Sequence, residues 1–220
     1  MKFLSYVGGK MKLTEVILQT DKEFSNRDAE KLRGYFGHYF KDLIIFHNHI
    51  DAFTFNYDYA FIQYKIINKK PCIIGINSGA DILFENIDKI KKIVINNEEI
   101  EVEPMLTIKF PELKIEDKFY KYKFETLWFA LNSDNYKKYK SGSFDLNKQL
   151  RNNILEFFKM CGVWADREII VKGNFKESIL TQKDIKIKGF YGEFSVNVNL
   201  PDNISLGKRK SIGLGRIKKI

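Results

Sequence analysis

The chain's three histidines, His38, His47 and His49, all fall within twelve positions of a 220-residue sequence. Imidazole is the side chain whose unperturbed pKa, about 6.5, allows it to accept and donate protons near neutral pH. His47 and His49 are separated by one residue, so an extended backbone would direct both rings to the same side. The segment is therefore a candidate for general acid–base catalysis.

Two other interpretations of this histidine pair remain open. Any i, i+2 pair shares a face of an extended segment, so the two rings could be purely structural. The pair could also bind zinc or manganese, because imidazole is a common ligand of both metals. Nearby carboxylates could complete such a metal site: Asp42, Asp51 and Asp58.

A glycine-rich basic tail is the second candidate site. Its glycines can adopt positive φ and let the main chain approach a ligand closely, while its cations supply positive charge. The pattern is not a P-loop, because GxxxxGK[ST] is absent. The tail predicts binding of RNA backbone, and the alternative is a β-hairpin with a basic tip. The residues concerned are Gly207, Lys208, Arg209, Lys210, Gly213, Gly215 and Arg216.

The charge distribution supports a polyanionic partner. Residues 1–110 carry 15 Lys and Arg against 15 Asp and Glu, whereas residues 111–220 carry 22 against 13, so the net charge of +9 lies in the second half. Localised positive charge favours nucleic-acid binding through counterion release, although a solvated lysine-rich surface would look similar.

Composition limits the compartment and the class of protein. The two cysteines, Cys72 and Cys161, are far apart and belong to no CxxC motif, which favours a reducing cytoplasm over a disulfide framework or a cysteine zinc site. No apolar run approaches the ~20 residues that span a bilayer, so no membrane association is expected. We expect residues 1–10 to be an N-terminal extension, since Met11 resembles a second start.

The first half of the chain predicts a βαββαβ order. Residues 13–18 read as a strand, 26–40 as a helix, 60–67 and 72–76 as two strands, 81–90 as a helix, and 92–95 with 100–103 as a closing hairpin. This order is that of a ferredoxin-like unit, and Pro104 is the expected seam.

The second half fits the same order less clearly. Strands are predicted at 106–110, 120–124, 169–172, 185–190, 194–200 and 212–217, with one strong amphipathic helix at 146–160. We therefore predict an α+β protein of two tandem ferredoxin-like domains, spanning residues 11–104 and 105–220. A single mixed α+β domain is the alternative.

Residues 188–194, with the sequence KGFYGEF, loosely match the RNP1 pattern of RNA-recognition modules, in which a basic residue and a glycine are followed by spaced aromatics. The spacing differs position by position. An ordinary aromatic hairpin accounts for the segment better than an RNA-recognition motif does.

Several segments together resemble the CRISPR-associated repeat-processing endoribonucleases, the Cas-six family and more closely its b-subtype. The resemblance covers essentially the whole chain after residue 10 and includes the tail at 207–215. The other segments that carry it are Lys31–Tyr35, His47-Asn48-His49, Phe61–Ile67 and Ile74–Ala80.

This resemblance implies a protein that cleaves the repeat RNA of a CRISPR precursor transcript without a metal or cofactor. The implied reaction is attack of a 2′-hydroxyl on the adjacent phosphate, giving a 2′,3′-cyclic phosphate and a 5′-hydroxyl. His47 and His49 match the family's histidine positions, Tyr57 falls where a supporting tyrosine is expected, and His38 is an additional catalytic candidate. Such a reaction needs a base, an acid and positive charge, which two imidazoles and the basic tail could supply.

Two other functions remain open. One is a catalytically silent RNA-binding subunit of a CRISPR complex, and the other is a metal-dependent nuclease that uses the histidine pair. Expected partners besides repeat RNA are other CRISPR-associated proteins of an effector complex and a second copy of this chain.

Overall fold

The computed structural model describes residues 10–46, 60–182 and 185–220. Contacts divide the chain into two compact units. The first unit consists of Met11–Pro111 together with the short segment Ser211–Gly213, and the second contains Glu112–Lys210 and Leu214–Ile220. His47, His49, Tyr57 and residues 1–9 of the expected extension lie outside the described residues.

The first unit has the predicted ferredoxin-like topology. Its four-stranded antiparallel sheet has the order β2-β3-β1-β6. Buried side chains of the sheet, including Val16, Tyr64 and Ile73, pack with Leu32 and Phe36 of the first helix in one core. The elements are β1 Leu13–Gln19, α1 Asp28–Tyr39, β2 Ile62–Ile67, β3 Lys70–Ile76, α2 Ser78–Asn86, β4 Lys92–Ile95, β5 Glu98–Glu101 and β6 Glu103–Lys109.

The division between the units lies after Pro111, seven residues beyond the expected seam at Pro104. Residues 103–109 form β6 and pair with β1 along its whole length, so the strand expected to open the second domain closes the first one. Pro104 lies opposite Leu18 within this pairing. A proline is tolerated there because β6 is an edge strand of the sheet.

The second unit repeats the strand order. Its sheet runs β10-β7-β9-β8, all antiparallel, so the first strand of the unit again lies between the last and the third strand. The predicted helix α4 buries Leu150, Ile154 and Phe157, and the Asp145 side chain caps its first turn by accepting from the Lys148 amide. The elements are β7 Ile115–Phe124, α3 Ser133–Lys140, α4 Leu146–Met160, β8 Val171–Gln182, β9 Ile185–Val198 and β10 Ile217–Lys219.

Two strands of the second unit were predicted wrongly, and one helix was not predicted at all. Helix α3 was not anticipated, because its sequence is polar and it begins at an Asn132–Asn135 capping box rather than at an apolar stripe. Residues 185–200 were expected as two strands, but β9 continues without a break through Gly192, which has a φ of +154° and lies opposite Phe175 of β8. The strand expected at 212–217 is a 3₁₀ turn at Lys210–Ile212 followed by the short β10.

The tail occupies the position of a missing element. A ferredoxin-like unit has a second helix before its last strand, yet residues 199–216 contain only the 3₁₀ turn at Lys210–Ile212. The two cysteines, Cys72 and Cys161, are buried thiols. None of the helices in the described part of the chain is long and apolar enough to cross a membrane.

Candidate nucleic-acid interface

The residue immediately before the histidine pair is held against β2. Phe46 is buried, and its ring stacks on Phe40 with the ring centroids 4.4 Å apart. The Tyr64 hydroxyl, from the middle of β2, donates a 3.0 Å hydrogen bond to the Phe46 carbonyl. Burial raises the pKa of Tyr64, so the hydroxyl remains a donor throughout the physiological range. The chain that leads into His47 therefore begins at a fixed point beside β2.

The chain returns to the same strand after Tyr57. Ala60 is buried, and the Phe61 carbonyl accepts a 2.8 Å hydrogen bond from the Ile76 amide of β3. Gly79 of α2 approaches this carbonyl so closely that a Cβ there would lie 2.3 Å from the oxygen. Both ends of the segment that contains His47, His49 and Tyr57 are thus anchored at β2, while the three residues themselves lie outside the described ranges.

His38 is the one predicted catalytic residue that the structure describes. It lies in the last turn of α1 and is exposed. It follows Phe36 by two positions, about 200° around the helix, and Phe36 faces the core. The His38 imidazole is therefore on the solvent side of α1, near the helix C-terminus.

The tail forms a hairpin-like loop with a basic tip. The Leu206 amide donates to the Gly215 carbonyl and the Ile217 amide donates to the Ile204 carbonyl, both at 3.0 Å. Both predicted properties of the tail, a hairpin and a glycine-rich loop, are present together. The three glycines Gly207, Gly213 and Gly215 all have positive φ.

Gly213 and Gly215 are required by close approaches within the protein itself. A Cβ at Gly215 would lie 2.0 Å from the Leu206 carbonyl oxygen. A Cβ at Gly213 would lie 2.8 Å from the Tyr64 carbonyl oxygen and 3.3 Å from Lys65 Cγ. Gly213 belongs to the short segment Ser211–Gly213 that packs with the first unit, so it lies against β2 at Tyr64, the residue that holds Phe46.

The four predicted cations of the tail divide into two pairs. Lys208 and Arg209 are exposed at the tip, and the Arg209 guanidinium lies over the Phe129 ring at 5.8 Å. Lys210 is largely covered and forms an ion pair with Glu156 of α4. The structure therefore offers Lys208 and Arg209 to solvent and uses Lys210 to hold the loop.

Arg216 also holds the loop in place. It is 8% exposed, and its guanidinium donates a 3.2 Å hydrogen bond to Asn203 and lies 3.8 Å from Glu125. Its amide donates to the Thr126 hydroxyl at 2.8 Å. Arg216 therefore stabilises the loop from inside the protein, and we call such a residue a brace. The sequence alone did not distinguish this role from that of an exposed cation.

A buried polar pair lies next to Tyr64 in β2. Gln63 and Lys65 are almost fully buried, and the Lys65 ammonium donates a 2.9 Å hydrogen bond to Gln63 Oε1. The sequence analysis did not select these residues or Tyr64. The available signal was the presence of Gln, Tyr and Lys in a strand otherwise made of isoleucines, because buried polar side chains need partners.

The described residues hold no group of three His, Cys, Asp or Glu side chains that could bind a metal. Asp42 is described and exposed, whereas Asp51, Asp58 and the histidine pair lie outside the described ranges. The metal interpretation of that pair is therefore left open by the geometry.

Comparison with known families identifies the chain. The family model of the Cas6b N-terminal domain matches residues 9–109, and that of the Cas6b C-terminal domain matches residues 114–220. The chain belongs to the Cas6b family. Its two matched regions end and begin on either side of Pro111, where the structure divides the two units.

Solved structures and a curated relative agree with this assignment. A crystal structure of Cas6b is 33% identical, covers 96% of this chain and 100% of its own, and superimposes with a TM-score of 0.87. A crystal structure described as the CRISPR RNA processing endoribonuclease Cas6b is 28% identical over the same shares, with a TM-score of 0.73. An uncharacterized protein of Methanocaldococcus jannaschii is 33% identical over 120 residues, which are 51% of this chain and 81% of that protein.

Proposed function

We propose that this Cas6b-family protein is an endoribonuclease that processes CRISPR precursor RNA, by metal-independent cleavage within the repeat. The family assignment supports RNA processing, as does the description of the 28% identical relative as a CRISPR RNA processing endoribonuclease. In the proposed reaction, the 2′-oxygen attacks the adjacent phosphorus and the bond to the 5′-oxygen breaks. The products are a 2′,3′-cyclic phosphate and a 5′-hydroxyl.

One observation carries this proposal. Tyr64 of β2 holds the carbonyl of Phe46, directly before the histidine pair, and its own carbonyl is the closest neighbour of a Cβ built at Gly213 in the tail. The candidate proton-transfer segment and the candidate phosphate-binding loop are therefore anchored at the same residue. A phosphoryl-transfer site needs these two functions side by side.

The residues have distinct proposed roles. One imidazole of the His47 and His49 pair removes the proton from the 2′-hydroxyl, and the other protonates the departing 5′-oxygen. Tyr57 orients the phosphate or one of the imidazoles. His38 is kept as a third proton-transfer candidate, although its exposed position at the end of α1 makes it suited to contact RNA outside the reacting phosphate.

Lys208 and Arg209 are the tail cations best placed to neutralise RNA phosphates, because both are exposed at the loop tip. Lys210, Arg216, Gly207, Gly213 and Gly215 contribute by fixing the conformation of that loop. Backbone contacts of this kind add affinity with little sequence information.

The experiment is incubation of the purified chain with CRISPR repeat RNA in EDTA, using an all-ribose substrate and one with a single 2′-deoxy residue at the cut site. We expect cleavage of the first and none of the second. Cleavage of both would overturn the 2′-hydroxyl mechanism, and loss of cleavage in EDTA would favour the metal-dependent nuclease. Binding without cleavage would favour the silent subunit.

Light scattering with and without RNA tests the proposed association with a second copy, and co-purification tests other CRISPR-associated partners in the cytoplasm.

A further inference from the structure

The sheet of the second unit has one side that is rich in lysine. Buried Tyr122, Phe124, Phe194 and Val196 define the core side of β7 and β9, so their alternate neighbours face the other way. We call this other side the lysine face. Its strand residues include five lysines: Lys121 and Lys123 of β7, Lys172 and Lys176 of β8, and Lys218 of β10.

The five lysines are brought together by strand register. Lys121 and Lys172 both lie opposite Ser195 of β9, one from each side, and Lys218 lies opposite Lys123. All five are exposed. Lys123 is paired with Glu125 at 2.8 Å, and Glu193 is the acidic residue that β9 places among them. Their combined field is therefore strongly positive.

Two exposed aromatic rings lie on the same side. Tyr191 is 44% exposed and lies opposite Lys176, and Phe119 is 40% exposed with the Lys172 ammonium 5.7 Å from its ring centroid. Exposed rings of this kind offer flat faces on which the bases of a nucleic acid can stack. A groove of about 480 Å³ lies at the same strands, and its lining includes Lys121, Lys172, Asn174, Glu193, Ser195 and Ile220.

Lysines that follow a backbone and aromatic rings that stack on bases are the two components of single-stranded nucleic-acid surfaces. RNA-recognition modules present both on the open side of a four-stranded sheet. Tyr191 also lies in the KGFYGEF segment, and the structure places that segment on the central strand β9 of such a sheet. The loose motif thus has the structural context that it requires.

We propose that the lysine face binds single-stranded RNA, with Phe119 and Tyr191 stacking on bases and Lys121, Lys172 and Lys218 contacting phosphates. This rests on the proposed function for the identity of the ligand: the RNA is the unpaired part of the precursor that continues from the cleaved repeat. An acidic peptide would satisfy the lysines but not the two exposed rings, so RNA is the occupant that fits both features.

The test measures binding of the full chain to a fluorescent ten-nucleotide oligouridylate by anisotropy at several salt concentrations. In the Lys121→Ala, Lys172→Ala, Lys218→Ala triple variant we expect at least about tenfold weaker binding and a salt slope smaller by about 2, since each phosphate contributes about 0.7. In the Phe119→Ala, Tyr191→Ala double variant we expect about tenfold loss per ring with the slope retained.

The matched control removes three exposed lysines of the first unit that pair with carboxylates, in the triple variant Lys22→Ala, Lys69→Ala, Lys92→Ala. It makes the same change in net charge and should reduce binding much less. Equal losses in control and test variants, or binding within twofold of the parent in both test variants, would overturn the proposal.

A second measurement uses the unaltered protein, so it does not depend on how variants fold. Cross-linking to a 4-thiouridine oligonucleotide should label peptides that contain Phe119 or Tyr191, and labelling confined to other peptides would contradict the proposal. Because oligouridylate binding is read without any cleavage, it separates failure of this surface from failure of the nuclease proposal.

Discussion

The two units share one strand order and use the open side of their sheets in opposite ways. In the first unit, the side of the sheet away from the helices is buried at Gln63, Lys65, Cys72 and Ile74. In the second unit, the corresponding side exposes five lysines and two aromatic rings. Equal topology therefore does not imply equal function, because the residues on the sheet decide what it can bind.

The comparison suggests a division of work between the units. The first unit anchors both ends of the histidine segment and includes Gly213, which lies against the Tyr64 carbonyl, so it is suited to position reacting groups. The second unit carries the excess positive charge and the exposed surface, so it is suited to hold the RNA. Variants in the two units should thus change different measured quantities.

The largest expected effect is on the cleavage rate. His47→Ala and His49→Ala should each slow single-turnover cleavage by about 10²–10⁴-fold, because each removes a proton-transfer group. His38→Ala provides the comparison from the same part of the sequence. Full activity in both His47→Ala and His49→Ala would remove the pair from the mechanism and direct attention to His38 or the lysines.

A smaller effect is expected on stability when the tail loses a required glycine. Gly215→Val places a side chain at positive φ and at a carbonyl, so we expect a loss of about 2–4 kcal/mol in the free energy of unfolding. This corresponds to a fall of roughly 5–15 °C in Tm by calorimetry. Gly142→Ala is the control, since Gly142 also has positive φ but nothing lies within 4 Å of a Cβ there. Equal shifts in both variants would show that the contact with Leu206 is unimportant.

Substitutions of the tail cations should fall into two classes: those that weaken RNA binding and those that lower the stability of the fold. Lys208→Ala and Arg209→Ala should each weaken binding of repeat RNA and reduce the salt slope by about 1, with Tm unchanged. Arg216→Ala should instead lower the free energy of unfolding by about 1–3 kcal/mol, because it removes the hydrogen bond to Asn203 and the ion pair with Glu125 from a buried position. If Arg216→Ala weakens binding but leaves Tm at the parent value, the assignment of Arg216 as a brace is wrong.

The smallest effect concerns Glu125, beside Arg216. The hydrogen bond from Lys123, and more weakly the charge of Arg216, holds the pKa of Glu125 below its usual value. A lowered pKa in the folded state adds stability above the pKa of the unfolded state, and this stability is lost as pH falls through the folded pKa. Glu125→Gln should therefore cost less than about 1 kcal/mol at pH 7, after solvent screening, and nothing near pH 2. A Tm difference from the parent that is the same at both pH values would contradict this.

The elements of the fold that could be predicted from the sequence are those with a clear pattern of apolar residues. The apolar runs of β1 and β3 and the apolar stripe of α4 identified those elements, and the order of strands and helices along the chain indicated the ferredoxin-like fold. The position of β6 was not predictable, because a proline near the start of a strand reads as a boundary unless its edge location is known. Helix α3 depends on a cap and on its packing, for example Tyr139 against Phe190, rather than on an apolar stripe.

The sequence indicated which types of residue form the candidate site, but it did not indicate the role of each residue in it. Glycine spacing correctly indicated a special backbone at Gly213 and Gly215, yet Arg209 and Arg216 look alike in sequence and differ in exposure. Tyr64 could not be identified, since its importance comes from a hydrogen bond to a residue 18 positions away. Long-range contacts of this kind are set by the tertiary fold.

The most direct test of the division between the units measures two quantities on the same RNA. The single-turnover cleavage rate at saturating protein and the Kd are determined for the parent, the double variant His47→Ala, His49→Ala and the double variant Lys208→Ala, Arg209→Ala. The account predicts that the histidine variant loses rate and keeps its Kd, while the tail variant loses affinity and keeps most of its saturating rate. A histidine variant that binds as weakly as the tail variant, or a tail variant whose saturating rate falls as far as that of the histidine variant, would contradict it.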